Sequence, residues 1–166
     1  MAQAQPSRST ITLERFFDAT ADEVWELWTT ADGVQAWWGP EGFEVKVREM
    51  DLRPGGEMTY VMTATAPDQI DFMRKAGMPL ATEAHLTFSE VDPPRRLAYN
   101  HRADFIPGVE PYIVATAVDI EAAGNGVRMA LTIEAMHDAE WTQRMVSGWE
   151  SELDKLAKVI VAARYD

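Results

Sequence analysis

The chain has 166 residues, no cysteine, and 27 acidic against 15 basic side chains, a formal net charge of −12. That length is close to one domain and lets a chain bury ~68–70% of its unfolded surface, so no staple is needed to hold a core. The missing cysteine excludes disulfides, thiolate metal sites and cysteine nucleophiles, and the acidic balance opposes binding to nucleic acid or anionic membranes, which are held mainly by cationic side chains.

Residues 1–9 read as a flexible leader without the apolar stretch of a secretory signal. Residues 10–166 read as one domain. No apolar run approaches the ~20 residues of a membrane span, and the composition suits a reducing cytoplasm. Thr10 to Phe17 (TITLERFF) suggests a first strand. Thr20 or Asp22 can cap a helix with Glu23 in its first turn, and Val24, Leu27 and Trp28 share one face. Asp32-Gly33 is expected to interrupt that helix, and a second short one carries Val34, Trp37 and Trp38 until Gly39-Pro40 stops it.

From Phe43 the period changes to two, with Phe43, Val45 and Val47 alternating with charged residues. Arg53-Pro54-Gly55-Gly56 has the chemistry of a type II turn, and Met58, Tyr60 and Met62 alternate on the returning strand. Strands over 84–91, carrying Phe88, and 97–102 are joined across Asp92-Pro93-Pro94. Strands over 112–120 and 127–135 are joined through Gly124-Asn125-Gly126, a hairpin signal. Between them, residues 68–76 (DQIDFMRKA) predict a short helix. From Asp138, a plausible cap, Trp141, Met145, Trp149, Leu153, Leu156 and Ile160 recur at helical spacing and form one apolar stripe. This is an α+β order: six to seven antiparallel strands, two short helices after the first strand, and a terminal helix long enough to cover the sheet.

Five stretches in this order resemble the START-like (SRPBCC) superfamily, in its branch of heat-shock-protein ATPase activator homologues. They are Val24-Trp25 with Trp28-Thr29, Trp37 to Phe43 (WWGPEGF), Glu49 to Gly56 (EMDLRPGG), Pro93 to Leu97 (PPRRL), and Gly148-Trp149 with Leu153 to Leu156 (LDKL). The resemblance implies a helix-grip fold with a cavity between sheet and long helix, often holding an apolar ligand. It carries no catalytic set onto this chain and implies no cofactor. Residues 63–82 look longer than the family's usual connection, and are read either as a lid over the cavity mouth or as a packed insertion. Phe105-Ile106-Pro107-Gly108-Val109 is a second apolar loop that could close the same rim.

The expected ligand-binding residues are Trp38, Met58, Tyr60, Met62, Phe88, Tyr99, His101, Trp141, Met145, Gly148 and Trp149. Trp37 and Trp38 divide between plugging the core and lining a cavity mouth, where a rigid amphipathic ring makes a good wall. The methionine-aromatic stripe is either core or an adaptable cavity wall. Tyr60 and Tyr99 would bring hydroxyls inward, and buried hydroxyls need partners. Gly148, inside a helix where glycine costs ~1 kcal/mol against alanine, leaves room either for sheet backbone or for ligand. His85, His101 and His137 show no metal-ligand spacing.

Three functions follow in order. The first is binding of an apolar, aromatic or lipid-like small molecule, with Tyr60, Tyr99 and His101 as polar contacts. The second is a co-chaperone-like module acting on a chaperone ATPase, suggested by the resemblance alone. The third is a cyclase- or hydrolase-type enzyme, which needs a titratable pair converging in the pocket. His101 with Glu83, Glu134 or Asp104 is the available set, but Glu134 alternates to the wet face. Monomer and homodimer are both compatible with the sequence.

Overall fold

Each change of hydrophobic period along the chain coincides with a change of element in the computed structural model, which describes residues 8–104 and 106–165. The order is β1 (Thr10–Phe17), α1 (Ala21–Thr29), α2 (Ala31–Trp37), β2 (Phe43–Met50), β3 (Glu57–Ala64), α3 (Pro67–Lys75), β4 (Ala81–Asp92), β5 (Arg96–Ala103), β6 (Tyr112–Ala123), β7 (Gly126–Glu134) and α4 (Ala139–Tyr165). The strands form one seven-stranded antiparallel sheet in the order β1-β7-β6-β5-β4-β3-β2. The fold is the α+β helix-grip arrangement, with the curved sheet wrapped against α4.

Local chemistry sets the boundaries. Thr20 caps α1 through a reciprocal box with Glu23, which satisfies two otherwise orphaned backbone donors. The break between the short helices falls at Thr30 and not at Asp32-Gly33. The Thr30 hydroxyl accepts the Gly33 N–H at 2.9 Å and so caps α2. Gly33 therefore lies inside the first turn of α2, where a Cβ would come within 2.4 Å of the Glu26 carbonyl oxygen of α1. A glycine that looks like a helix breaker is here a site of close helix approach.

The Arg53–Gly56 turn closes with the Gly56 N–H donating to Arg53 O at 2.8 Å, and Gly55 at φ +85 takes the position that type II geometry requires. Gly124-Asn125 is the two-residue loop between β6 and β7. Asp138 caps α4, its Oδ1 accepting the Trp141 N–H at 2.7 Å. Bulges at Arg48 in β2 and Ser89 in β4 shift the register of those strands, and bulges bend a strand and increase its twist.

The core lies between the sheet and α4, with α1 and α2 closing one end. Trp28, Trp37, Met129, Leu131, Leu153 and Leu156 are fully buried in it. Trp28 and Trp37 meet edge to face at 4.7 Å, and Trp28 stacks on Trp149 at 5.9 Å, geometries that suit the ring quadrupole. Arg8 and Ser9, expected in a loose leader, are tied to the sheet: Arg8 Nε donates to Ala135 O at 2.6 Å and Ser9 O accepts from Ala135 N at 2.8 Å. The rest of the expected leader lies outside the described residues. Arg96, partly exposed, pairs with Asp119 through two hydrogen bonds of 2.7 Å and also with Glu90.

Candidate functional site: a cavity under the long helix

Half of the sheet is filled by tryptophans and aliphatic side chains; over the other half α4 stands off and leaves a cavity of about 700 Å³, partly open to solvent. Its floor comes from inward positions of five strands. Tyr60 and Met62 lie on β3, Thr82 and Ala84 on β4, Tyr99, His101 and Ala103 on β5, Val114 and Thr116 on β6, and Ile133 on β7. Trp141, Met145, Gly148, Trp149 and Glu152 of α4 form the roof, and Trp38 closes the inner end. Nine of the eleven expected residues are thus brought to one wall.

Met58 and Phe88 are not. Both are essentially fully buried in the closed core and do not border the cavity. Alternation assigns a strand residue to a face, but it does not say where along the strand the packed core ends. The two adjacent tryptophans separate cleanly. Trp37 is core and donates its Nε1–H to Leu27 O at 2.8 Å, whereas Trp38 lines the cavity. In front of Gly148 a Cβ would meet nothing within 4 Å, so the vacant position faces open space and not sheet backbone.

α3 forms one rim, with Gln69, Phe72 and Met73 on the cavity side and Met78 just beyond it. Arg144 of α4 lies over the Phe72 ring at 5.6 Å and over Trp141 at 4.9 Å. The second apolar loop does not share this rim. Ile106 and Val109 pack into the core, and Phe105 lies outside the described residues.

The polar groups gather at the inner end. The Tyr60 hydroxyl and His101 Nε2 share a hydrogen bond of 2.9 Å. Burial pushes the His101 imidazole down to about 4, so it is neutral at pH 7. Burial first, then the charge of Glu152, raises the Tyr60 phenol, and burial dominates the rise at Tyr99. Thr116 is the polar neighbour of the Tyr99 hydroxyl, but no hydrogen bond of good geometry joins them, and the indole N–H of Trp38 is also buried without a partner. Both orphaned atoms are closed off even from the cavity surface.

Glu152 is the residue that the sequence reading missed. One carboxyl oxygen accepts the Gly39 N–H at 2.6 Å, and the half-buried side chain borders the cavity. Burial pushes its carboxyl up to about 7, opposed by the Gly39 hydrogen bond and the positive charge of Lys155. Lys155 itself donates to the carbonyls of Gly39 at 2.8 Å and Trp38 at 3.4 Å and forms no ion pair with Glu152. A glutamate three residues after Trp149 and four after Gly148 shares their helix face, so the spacing held the signal.

No group of three His, Asp or Glu among the described residues could hold a metal ion. His85 sits half-exposed beside Glu83, and His137 bonds to the Tyr112 hydroxyl at 2.8 Å. No helix among the described residues is long and apolar enough to cross a membrane.

Solved structures share this architecture. Protein CV1439 from Chromobacterium violaceum is 26% identical, with a TM-score of 0.76 over 91% of this chain and 96% of that one. The AHSA1 protein from Silicibacter pomeroyi is 21% identical, with a TM-score of 0.72 over 93% of this chain and 99% of its own. An AHSA1-like protein from Aeromonas hydrophila is 20% identical, with a TM-score of 0.71 over 95% and 96%. No curated protein matches the chain. The family described as activator of Hsp90 ATPase homolog 1-like protein matches residues 18–160, which spans both short helices, six of the seven strands and most of α4, and the chain belongs to that family.

Proposed function

We propose that this protein binds a small apolar or aromatic molecule in the cavity between sheet and long helix, within the cytoplasm. The observation that carries the reading is the cavity itself: about 700 Å³, walled mainly by aromatic, aliphatic and methionine side chains, with the polar groups of Tyr60, His101 and Glu152 among them. Ligand sites of globular proteins have ~300–1,000 Å³ and this same balance of apolar wall and convergent polar groups. An unfilled space of that size forfeits the dispersion contacts that close packing would supply. Gly148 supports the reading, since a helix interior that favours alanine over glycine carries no side chain at a position that faces open space in the cavity wall.

The test is titration with an apolar fluorescent probe, read by energy transfer from the wall tryptophans. Saturable one-to-one binding, reversed by aromatic or lipid-like competitors, is the expected result. Adsorption that never saturates would remove the cavity from the account. Action on a chaperone ATPase is the second reading and rests on the family's name. The large apolar side chains exposed among the described residues, Phe16, Phe72, Ile113 and Val161, come from four different elements.

A further inference from the structure

The inner end of the cavity carries a carboxyl, that of Glu152, that forms no ion pair with any described residue. Glu152 uses one oxygen on the Gly39 N–H, and its other oxygen has no hydrogen bond to any described residue. Its nearest cation, Lys155, is engaged with the carbonyls of Trp38 and Gly39 and does not line the cavity. Arg144, the only cationic residue of the wall, is held at the mouth by Glu140 at 2.8 Å and by the rings of Phe72 and Trp141. His101 is neutral and bonded to Tyr60.

Around the carboxyl the walls are aromatic. Trp38 meets Tyr60 edge to face at 5.3 Å, Tyr99 at 6.1 Å and Trp149 at 6.0 Å. Ring faces attract cations, most strongly where water is excluded. An anionic ligand would meet a carboxyl inside a molecule of net charge −12, a neutral one would favour its protonated form, and a cation would favour its ionised form. We propose that the cavity takes an organic cation, an amine or quaternary ammonium on an apolar or aromatic body, with its nitrogen against Glu152 and the rings of Trp38, Tyr60 and Trp149 beside it. The proposal rests on the cavity being a binding site and adds the charge of what it holds.

The groups facing Glu152 are Tyr60 on β3, Tyr99 on β5, the Gly39 N–H after α2 and Lys155 on α4. Of these only Glu152 titrates near neutrality. A cation needs its ionised form, so apparent affinity scales with the ionised fraction. Binding then strengthens as pH rises through about 7 and releases a proton.

The experiment compares benzyltrimethylammonium with its uncharged carbon isostere, neopentylbenzene, as competitors of the apolar probe between pH 5.5 and 8.5. At pH 8 the cation should bind about tenfold or more tightly than the isostere. Its affinity should fall by up to about tenfold per pH unit below the Glu152 titration, while the isostere's stays flat. Glu152→Gln should cut the preference to what the rings alone supply and abolish its pH dependence, yet still bind the isostere, which also shows that the variant is folded. Equal binding of both compounds, or a preference of unchanged size and pH dependence in Glu152→Gln, overturns the cation against Glu152 and leaves the apolar cavity standing. Failure of both to bind overturns the cavity reading and this one with it. If Glu152→Gln does not fold, the wild-type pH dependence decides, since a carboxyl that only anchors Gly39 would leave both affinities flat.

Discussion

Gly148 is the residue at which fold and function make opposite demands. Replacing it with leucine should raise or hardly change stability, because the helix gains propensity of ~1 kcal/mol and the new side chain enters open space. The same leucine would project into the cavity, so the variant should melt at or above the wild-type temperature and lose probe binding. A destabilised Gly148→Leu that binds normally would mean that the space is not where ligand lies.

His101 and Glu152 make a second pair of opposed demands, visible in the pH dependence of unfolding. The folded value of His101, about 4, lies below its ordinary 6.5, so its contribution is full above 6.5 and lost as pH falls toward 4. Glu152, about 7 against an ordinary 4.5, runs the other way: its contribution is full below 4.5 and lost as pH rises through 7. Each shift is on the order of 3 kcal/mol, and across pH 4.5–6.5 they oppose one another. Urea unfolding over pH 4.5–7.5 should show Glu152→Gln losing less stability than wild type as pH rises, and His101→Gln losing less as pH falls. Parallel curves for all three proteins would contradict both assignments.

These residues also mark how far the sequence was legible. Tyr60, Tyr99 and His101 were readable because period-two alternation assigns them to the inner face. Met58 and Phe88 obey the same alternation, yet tertiary packing decides that their part of the face is filled. Glu152 sat at the spacing of the Trp149 stripe, but a glutamate on a helix ordinarily reads as solvated, and only the assembled fold reveals that it borders the cavity.

Among the elements, α3 borders the cavity and differs from its neighbours in how it is held. Its N-cap residue, Ala66, has no side chain able to bond the first turn, Phe72 is half-exposed, and Met73 alone is fully buried. Helices with few buried contacts open at low free energy. As a lid, residues 63–82 should exchange amide hydrogens faster in the ligand-free protein than when probe is bound, while α4 and β5–β7 change little. Equal protection with and without probe would make α3 a static insertion. The element was legible from DQIDFMRKA, whereas the capping role of Thr30 and the close approach at Gly33 were not, because Asp-Gly carries turn chemistry whether or not a helix runs through it.

For the whole molecule, the sheet, the tryptophan-filled end and the long helix leave a cavity whose apolar wall and Glu152 carboxyl are features of the assembly and of no local segment. The net charge of −12 raises the local concentration of cations around such a molecule. The central claim is that the cavity exists to be filled, and native mass spectrometry of protein purified under mild conditions addresses it directly by weighing what is retained. The expected spectrum contains a one-to-one adduct of small-molecule mass, either co-purified or taken up from an offered panel of apolar and cationic aromatic compounds, absent after denaturation and absent in Gly148→Leu. Bare polypeptide mass under every condition, with no compound retained by the wild type, would contradict it.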